Sequence, residues 1–240
     1  MTSIPILMYH QIDASPRRGT PLRGLVVKPQ AFQRQMRFLK VMGYQGLSMK
    51  DLEPYLNGTR QGKVVGITFD DGYLNNLTHA LPALQANGFT ATCYGISELL
   101  GKTNAWDRAI GVPEKPLMSA SDWKAWHNAG MDVGSHTQSH AQLDAVSQAQ
   151  ARAEIGISKT QLEQLIGAEV RHFCYPYGKY SQAHVQMVKD AGYVTATTTR
   201  RGRVFQGSEF YELPRIMVAH ATHLALFAIK VMTNYESKRS

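Results

Sequence analysis

Seven short apolar runs, at 4–9, 64–69, 91–96, 131–135, 172–175, 194–199 and 214–218, alternate with stretches of helical periodicity at 29–42, 76–87, 121–128, 147–166, 181–191 and 222–231. Strand-length runs separated by amphipathic stretches read as repeated βα units, the connection that parallel strands require. About seven such units in 240 residues predict an α/β protein whose parallel strands close into a barrel, in one domain spanning 1–240. Gly43, Gly88, Gly130, Gly167 and Gly192 each follow a helical stretch, where a glycine past the helix C-terminus is expected. The segment 97–120 is a long connection, expected to form a rim or lid with a short helix as an alternative.

Composition narrows the class. An apolar fraction of 43% with 18% charged residues excludes a disordered chain. Lys and Arg outnumber Asp and Glu 26 to 18, a formal +8, but the excess is scattered, with short clusters at Arg200-Arg201-Gly202-Arg203 and Lys238-Arg239. Scattered charge without a nucleic-acid-binding motif reads as a basic solvated surface; nucleic acid is not expected as a partner, while peripheral contact with an anionic membrane is compatible with it. Cys93 and Cys174 lie in apolar runs and are expected buried and reduced. The N-terminus lacks a basic segment followed by a long apolar one, and no apolar run reaches the roughly 18 residues of a membrane span. The expected location is the cytoplasm or the cytoplasmic face of a membrane, or a secreted or periplasmic one if an export signal has been removed.

The polar residues at the strand ends carry the chemistry. Thr68-Phe69-Asp70-Asp71-Gly72-Tyr73 closes the second run with paired carboxylates, and Ser135-His136-Thr137-Gln138-Ser139-His140 closes the fourth with two imidazoles. Asp71, His136 and His140 offer one oxygen and two nitrogens, a set suited to a divalent ion, zinc first, with cobalt, nickel or manganese also accommodated. Asp70, beside that set, is the expected general base toward the attacking water. His10 follows the first run, Tyr177 the fifth, and Arg215 lies in the last, so five separate segments gather at one barrel face. Of the large aromatics, Trp123 and Trp126 at helical spacing are expected to pack in the core, whereas Tyr177 and Trp106 are expected substrate contacts.

Together Thr68-Phe69-Asp70-Asp71-Gly72-Tyr73, Ser135 to His140 and Tyr175-Pro176-Tyr177-Gly178 resemble the polysaccharide deacetylase family, the NodB-homology or carbohydrate esterase family 4 enzymes. Ile6-Leu7-Met8-Tyr9-His10, Asn104-Ala105-Trp106-Asp107 and Leu213-Pro214-Arg215-Ile216 extend the resemblance over nearly the whole chain. It implies a deformed (β/α) barrel that removes acetyl groups from N-acetylated amino sugars. By it Asp70 is the base, Asp71, His136 and His140 hold the metal, and the Tyr177 backbone N–H helps bind the oxyanion.

Two departures shape the remaining assignments. Many family members carry an arginine before the Pro-Tyr/Phe-Gly turn, where this chain has Cys174; Arg215 is the expected replacement beside the base, with Arg171 second. The family's late histidine is also missing, and His220 and His223 lie outside its usual pattern. The variant resembling poly-N-acetylglucosamine deacetylases places the acid early, which nominates His10. The expected partner is an N-acetylated glycan or a lipid-linked amino sugar. Deformylation of such a sugar and a catalytically silent carbohydrate-binding role are the rival readings.

Overall fold

The computed structural model describes residues 3–205 and 207–238; Arg239 of the basic C-terminal pair lies outside the described residues. Strands β1 (Ile6–Tyr9), β2 (Gln11–Ile12) and β3 (Val26–Val27) precede helix α1 (Pro29–Val41), then β4 (Gln45–Leu47) and α2 (Met49–Leu56). There follow β5 (Val64–Phe69), α3 (Leu81–Asn87), β6 (Thr92–Gly95), α4 (Ala120–Asn128), β7 (Asp132–Ser135), α5 (Gln148–Ile166) and β8 (His172–Cys174). The chain ends with α6 (Gln182–Asp190), β9 (Thr195–Arg201), β10 (Leu213–Met217) and α7 (Leu224–Met232). No helix of the described residues is long and apolar enough to cross a membrane.

β1 closes the sheet by pairing in parallel with β5 on one side, Ile6 to Gly66 through Tyr9 to Phe69, and with β10 on the other, Leu7 to Ile216. The other parallel pairs run β5–β6–β7–β8–β9–β10, so seven strands complete the deformed (β/α) barrel the sequence predicts. A register shift between Leu213 and Arg215 marks the deformation.

Side-chain parity places the core and the site in one step. Successive residues of a strand face opposite sides. In β5, Val65, Ile67 and Phe69 pack outward with Leu7 and Tyr9 of β1 against the helices, where Phe69 meets Trp126 edge-on. The alternate residues turn inward: Ile6, Val64, Tyr94, Cys174 and Leu213 form a second cluster with Met49, Leu52 and Tyr55 of α2. A Cβ on Gly66 would stand 2.9 Å from Leu52, which shows how closely α2 plugs the barrel's N-terminal end. The next inward position after Thr68 is Asp70, at the open end.

The helices begin and end on ordinary signals. Ser119 with Asp122 and Ser147 with Gln150 form capping boxes at the starts of α4 and α5. Gly88 and Gly167 take the left-handed conformation that closes α3 and α5. Trp123 and Trp126 are core residues, and Cys93 and Cys174 are buried free thiols, as expected.

β4 and α2 have no counterpart in the sequence reading. β4 is only three residues long and contains Gly46, and α2 carries Pro54 inside it, both of which read as interruptions. The stretch 76–87 is helical but opens with a wide π turn, Asn76–Ala80, just before Pro82, which has no N–H to donate. The connection 97–120 contains two 3-10 turns, Ser97–Leu99 and Ala105–Ile110.

Arg171, second candidate for the arginine beside the base, is elsewhere. Its Nε and Nη2 donate to the two oxygens of Glu53 at 2.8 and 2.9 Å, at the plugged end of the barrel, so it cannot serve Asp70. His172, with Nε2 3.3 Å from Glu53, and then Arg171 outweigh partial burial and hold the Glu53 carboxyl down to about 2. Because the folded value is depressed, this contribution to stability is full above the ordinary glutamate value of about 4.3 and is lost as pH falls toward the folded value. Urea midpoints measured between pH 5 and 2.5 should therefore fall less for Glu53→Gln than for the parent; an equal fall would refute the assignment.

Candidate active site

The open end of the barrel gathers the strand-end residues named above. Arg215 reaches inward from β10 and grips Asp70 with both forks, Nη1 to Oδ1 and Nη2 to Oδ2 at 2.7 Å each, with both side chains at most 3% exposed. The guanidinium is itself held: Nε donates to the Thr198 carbonyl at 2.9 Å, Nη1 to Thr68 Oγ1 at 3.0 Å, and Nη2 to Cys174 Sγ at 3.2 Å. Sequence reasoning does not single out Thr68 or Thr198, since buried threonines in strands are common and only spatial proximity distinguishes these two. Burial pushes the Asp70 carboxyl up, but the Arg215 charge and hydrogen bonds outweigh it and hold it below the usual carboxylate range. Asp70 is thus a carboxylate at neutral pH.

Asp71 turns the other way. Its φ of 72° is left-handed, and its Oδ1 lies 3.4 Å from Nε2 of His136 and 3.4 Å from Nε2 of His140. Burial raises the Asp71 carboxyl, yet its contacts with His136 and then His140 bring it well below the ordinary value. His136 Nδ1 lies 2.8 Å from the Cys174 carbonyl, which can only accept, so that nitrogen carries a proton and Nε2 is the ring nitrogen turned toward Asp71 and the site.

The His136–His140 segment is an irregular loop rather than a helical turn, with Thr137 and His140 also left-handed at 68° and 67°. Glu154 of α5 accepts from the backbone N–H of Gln138 and Ser139 at 2.9 and 2.8 Å and from Ser139 Oγ at 2.6 Å, tying the loop to the barrel wall. Of five described non-glycine residues with positive φ, four are Asp71, Thr137, His140 and Tyr177. Such conformations cost about 1–3 kcal/mol each and cluster where a site demands them.

His10 follows β1 at the same end, its Nε2 3.9 Å from Asp70 Oδ2, and Asn76 Nδ2 donates to its carbonyl at 2.9 Å. Trp106 and Tyr177 flank His140, with ring centroids 4.5 and 4.6 Å from its imidazole, and Tyr177 is 47% exposed. Burial pushes the Tyr177 hydroxyl up to about 12, so it remains neutral. Trp106 comes from the long connection, which is strapped across the rim by Lys115 Nζ to Asp13 Oδ2 at 2.8 Å. Asp107, next to Trp106, is a further acid here; burial and then the Asp71 charge raise its carboxyl.

The donors fit a divalent ion. A tetrahedral ion with bonds of about 2.0–2.2 Å separates its ligands by about 3.3–3.6 Å. The two 3.4 Å separations match that edge, and Asp71, His136 and His140 are all buried with their ligand atoms grouped.

The sequence pattern of the polysaccharide deacetylases matches residues 57–196, more than half of the chain. This chain belongs to the polysaccharide deacetylase family. Over 237 residues it is 26% identical to the poly-beta-1,6-N-acetyl-D-glucosamine N-deacetylase of Staphylococcus epidermidis, covering 89% of this chain and 78% of that protein. Among solved structures, the Streptococcus pyogenes deacetylase PplD, in complex with acetate, matches with a TM-score of 0.83 at 25% identity, 96% of this chain against 98% of that one. A polysaccharide deacetylase from Bacillus cereus matches with a TM-score of 0.81 at 29% identity, over 96% and 69% of the two chains. Within this polysaccharide deacetylase, the guanidinium beside Asp70 comes from β10, and its Nη2 lies 3.2 Å from Sγ of Cys174 on β8.

Proposed function

We propose that the chain is a divalent-metal-dependent hydrolase that removes N-acetyl groups from the amino sugars of a glycan, with poly-N-acetylglucosamine-like chains as the first candidates. The observation that carries this reading is the pairing, at one barrel end, of a grouped Asp71–His136–His140 donor set with a second carboxylate, Asp70, clamped by Arg215. An ion held by Asp71, His136 and His140 would supply Lewis-acid polarisation of the acetyl carbonyl and acidify the attacking water.

The other steps belong to the protein's own side chains and backbone. Asp70, kept ionised by Arg215, accepts the proton of the attacking water. The Tyr177 backbone N–H faces the developing oxyanion, as the family resemblance implies, and its left-handed turn sets the direction of that amide. His10 gives its proton to the departing amine, so that the sugar leaves as a neutral amine and acetate is released. The rings of Trp106 and Tyr177 offer flat faces to the pyranose on either side of His140.

The test is acetate release from N-acetylated oligosaccharides and matched lipid-linked sugars, using metal-stripped protein with zinc, cobalt or nickel restored. Release that disappears on stripping and returns with an ion supports the reading, and the better substrate identifies free glycan or lipid-linked sugar. Binding of metal with no acetate from any member of the panel would overturn it, and formate from N-formyl sugars would turn it to deformylation. His10→Ala should lower kcat by about a hundredfold or more with metal content unchanged; parent-like turnover in that variant would remove His10 from the mechanism.

A further inference from the structure

At the plugged end of the barrel, remote from the catalytic residues, a cavity of about 780 Å³ opens between the residues before β1, the turn after α2 and the segment after β9. Its volume is in the range of small-molecule sites, about 300–1,000 Å³. Among its described lining residues there is no Asp or Glu, but there are three cations, Arg60, Lys63 and Arg203. None of the three has a carboxylate partner among the described residues, whereas Arg108, Lys115, Arg152, Arg171 and Arg215 all do. Arg203 is 7% exposed, and its guanidinium meets only neutral acceptors: Nε donates to Ser3 Oγ at 2.7 Å, Nη2 to the Ser3 carbonyl at 3.0 Å, and Nη1 to the Val231 carbonyl. Those contacts satisfy hydrogen bonds and leave the charge uncompensated.

The walls are aromatic. Lys63 Nζ sits 4.8 Å from the centroid of Tyr44, and Arg60 Cζ 5.3 Å from that of Tyr55, which holds both exposed cations at the wall of the cavity. Phe205 and Phe210 complete the lining with apolar surface, Phe205 being 36% exposed. A neighbouring cleft of about 690 Å³ shares Arg203 and adds Arg200 and Arg201, but it also carries Glu209 and Glu212, which offset two of its three cations. Of the two, the first cavity is the one whose described lining holds cations and no carboxylate, and low-dielectric walls focus such a field on an anion.

We propose that this cavity is a second binding site, distinct from the catalytic one, for a small phosphorylated ring compound. Its phosphate sits by Arg60 and Lys63 in the field of Arg203, and its ring lies against the aromatic wall. The proposal is independent of the deacetylase reading.

Calorimetric titration of the full chain with inorganic phosphate, N-acetylglucosamine 1-phosphate and uridine diphosphate tests it. Saturable binding is expected, tighter for the two ring-bearing probes than for phosphate, and weakened by salt. The Arg60→Glu/Lys63→Glu variant, altered only at exposed side chains, should bind at least about tenfold more weakly. Arg200→Ala should bind like the parent, and so should Asp71→Asn, which separates this cavity from the catalytic end. No saturable binding of any probe would overturn the proposal, as would unchanged affinity in the charge-reversed variant or loss of binding in Asp71→Asn.

Discussion

Asp70→Asn should retain its divalent ion and lose turnover by about 10²–10⁴-fold, the range that a positioned general base supplies. The substitution keeps the size of the side chain and removes the acceptor. The donor set of Asp71, His136 and His140 is untouched, so metal stoichiometry should equal that of the parent, while acetate release at saturating substrate collapses. The introduced amide would still accept one hydrogen bond from Arg215 but not balance its charge, so the variant should also unfold at lower urea. Parent-like kcat with full metal content would exclude Asp70 as the base. Loss of metal together with activity would instead show that the two carboxylates act jointly as ligands.

Arg215→Ala should be the most destabilising change at the site. Removing one partner of a fully buried ion pair strands the other charge, at a cost of about 3–5 kcal/mol. Asp70 is 2% exposed and Arg215 1%, so neither charge has water to fall back on. Without the guanidinium, burial is the largest influence left on the Asp70 carboxyl and raises it, against smaller opposing effects of His10 and His136. A base that is protonated through more of the working range loses activity at neutral pH, and the acidic limb of the kcat profile should move upward. Arg215→Lys keeps the charge but not the two-pronged geometry, so it should recover part of the stability and less of the turnover. An unchanged urea midpoint and an unchanged pH profile in Arg215→Ala would show that the pair holds nothing.

Much of the fold was legible because its determinants are local. β5 reads as a strand from its own six residues, all buried, and its parity alone sends Thr68 and Asp70 inward while Val65, Ile67 and Phe69 face the helices. Capping serines and closing glycines mark α4 and α5 for the same reason. β4 and α2 escaped because their formation is not local: a three-residue strand around Gly46 and a helix containing Pro54 are stabilised by packing on β5 and by plugging the barrel. Burial there outweighs weak propensity.

The site divides along the same line. Types and order of residues were sufficient to nominate Asp70, Asp71, His136 and His140, because hard oxygen and imidazole nitrogen are chemically distinctive and strand ends of a barrel converge. Sequence ranked Arg215 ahead of Arg171 but could not place either beside the base, since both are single arginines near strands. The choice was made by closure of β10 onto β1, which carries Arg215 to within 2.7 Å of Asp70, while Arg171 at the start of β8 faces Glu53 at the other end. Thr68, Thr198 and Glu154 acquire their roles only from such proximity, and so does the cavity at the plugged end, whose cations come from positions 60, 63 and 203. The chain's own pattern thus determined the barrel and the kind of chemistry at its mouth. Which charges meet, and which are left without partners, was decided by tertiary structure, because an electrostatic contact depends on distance in space and not on separation along the chain.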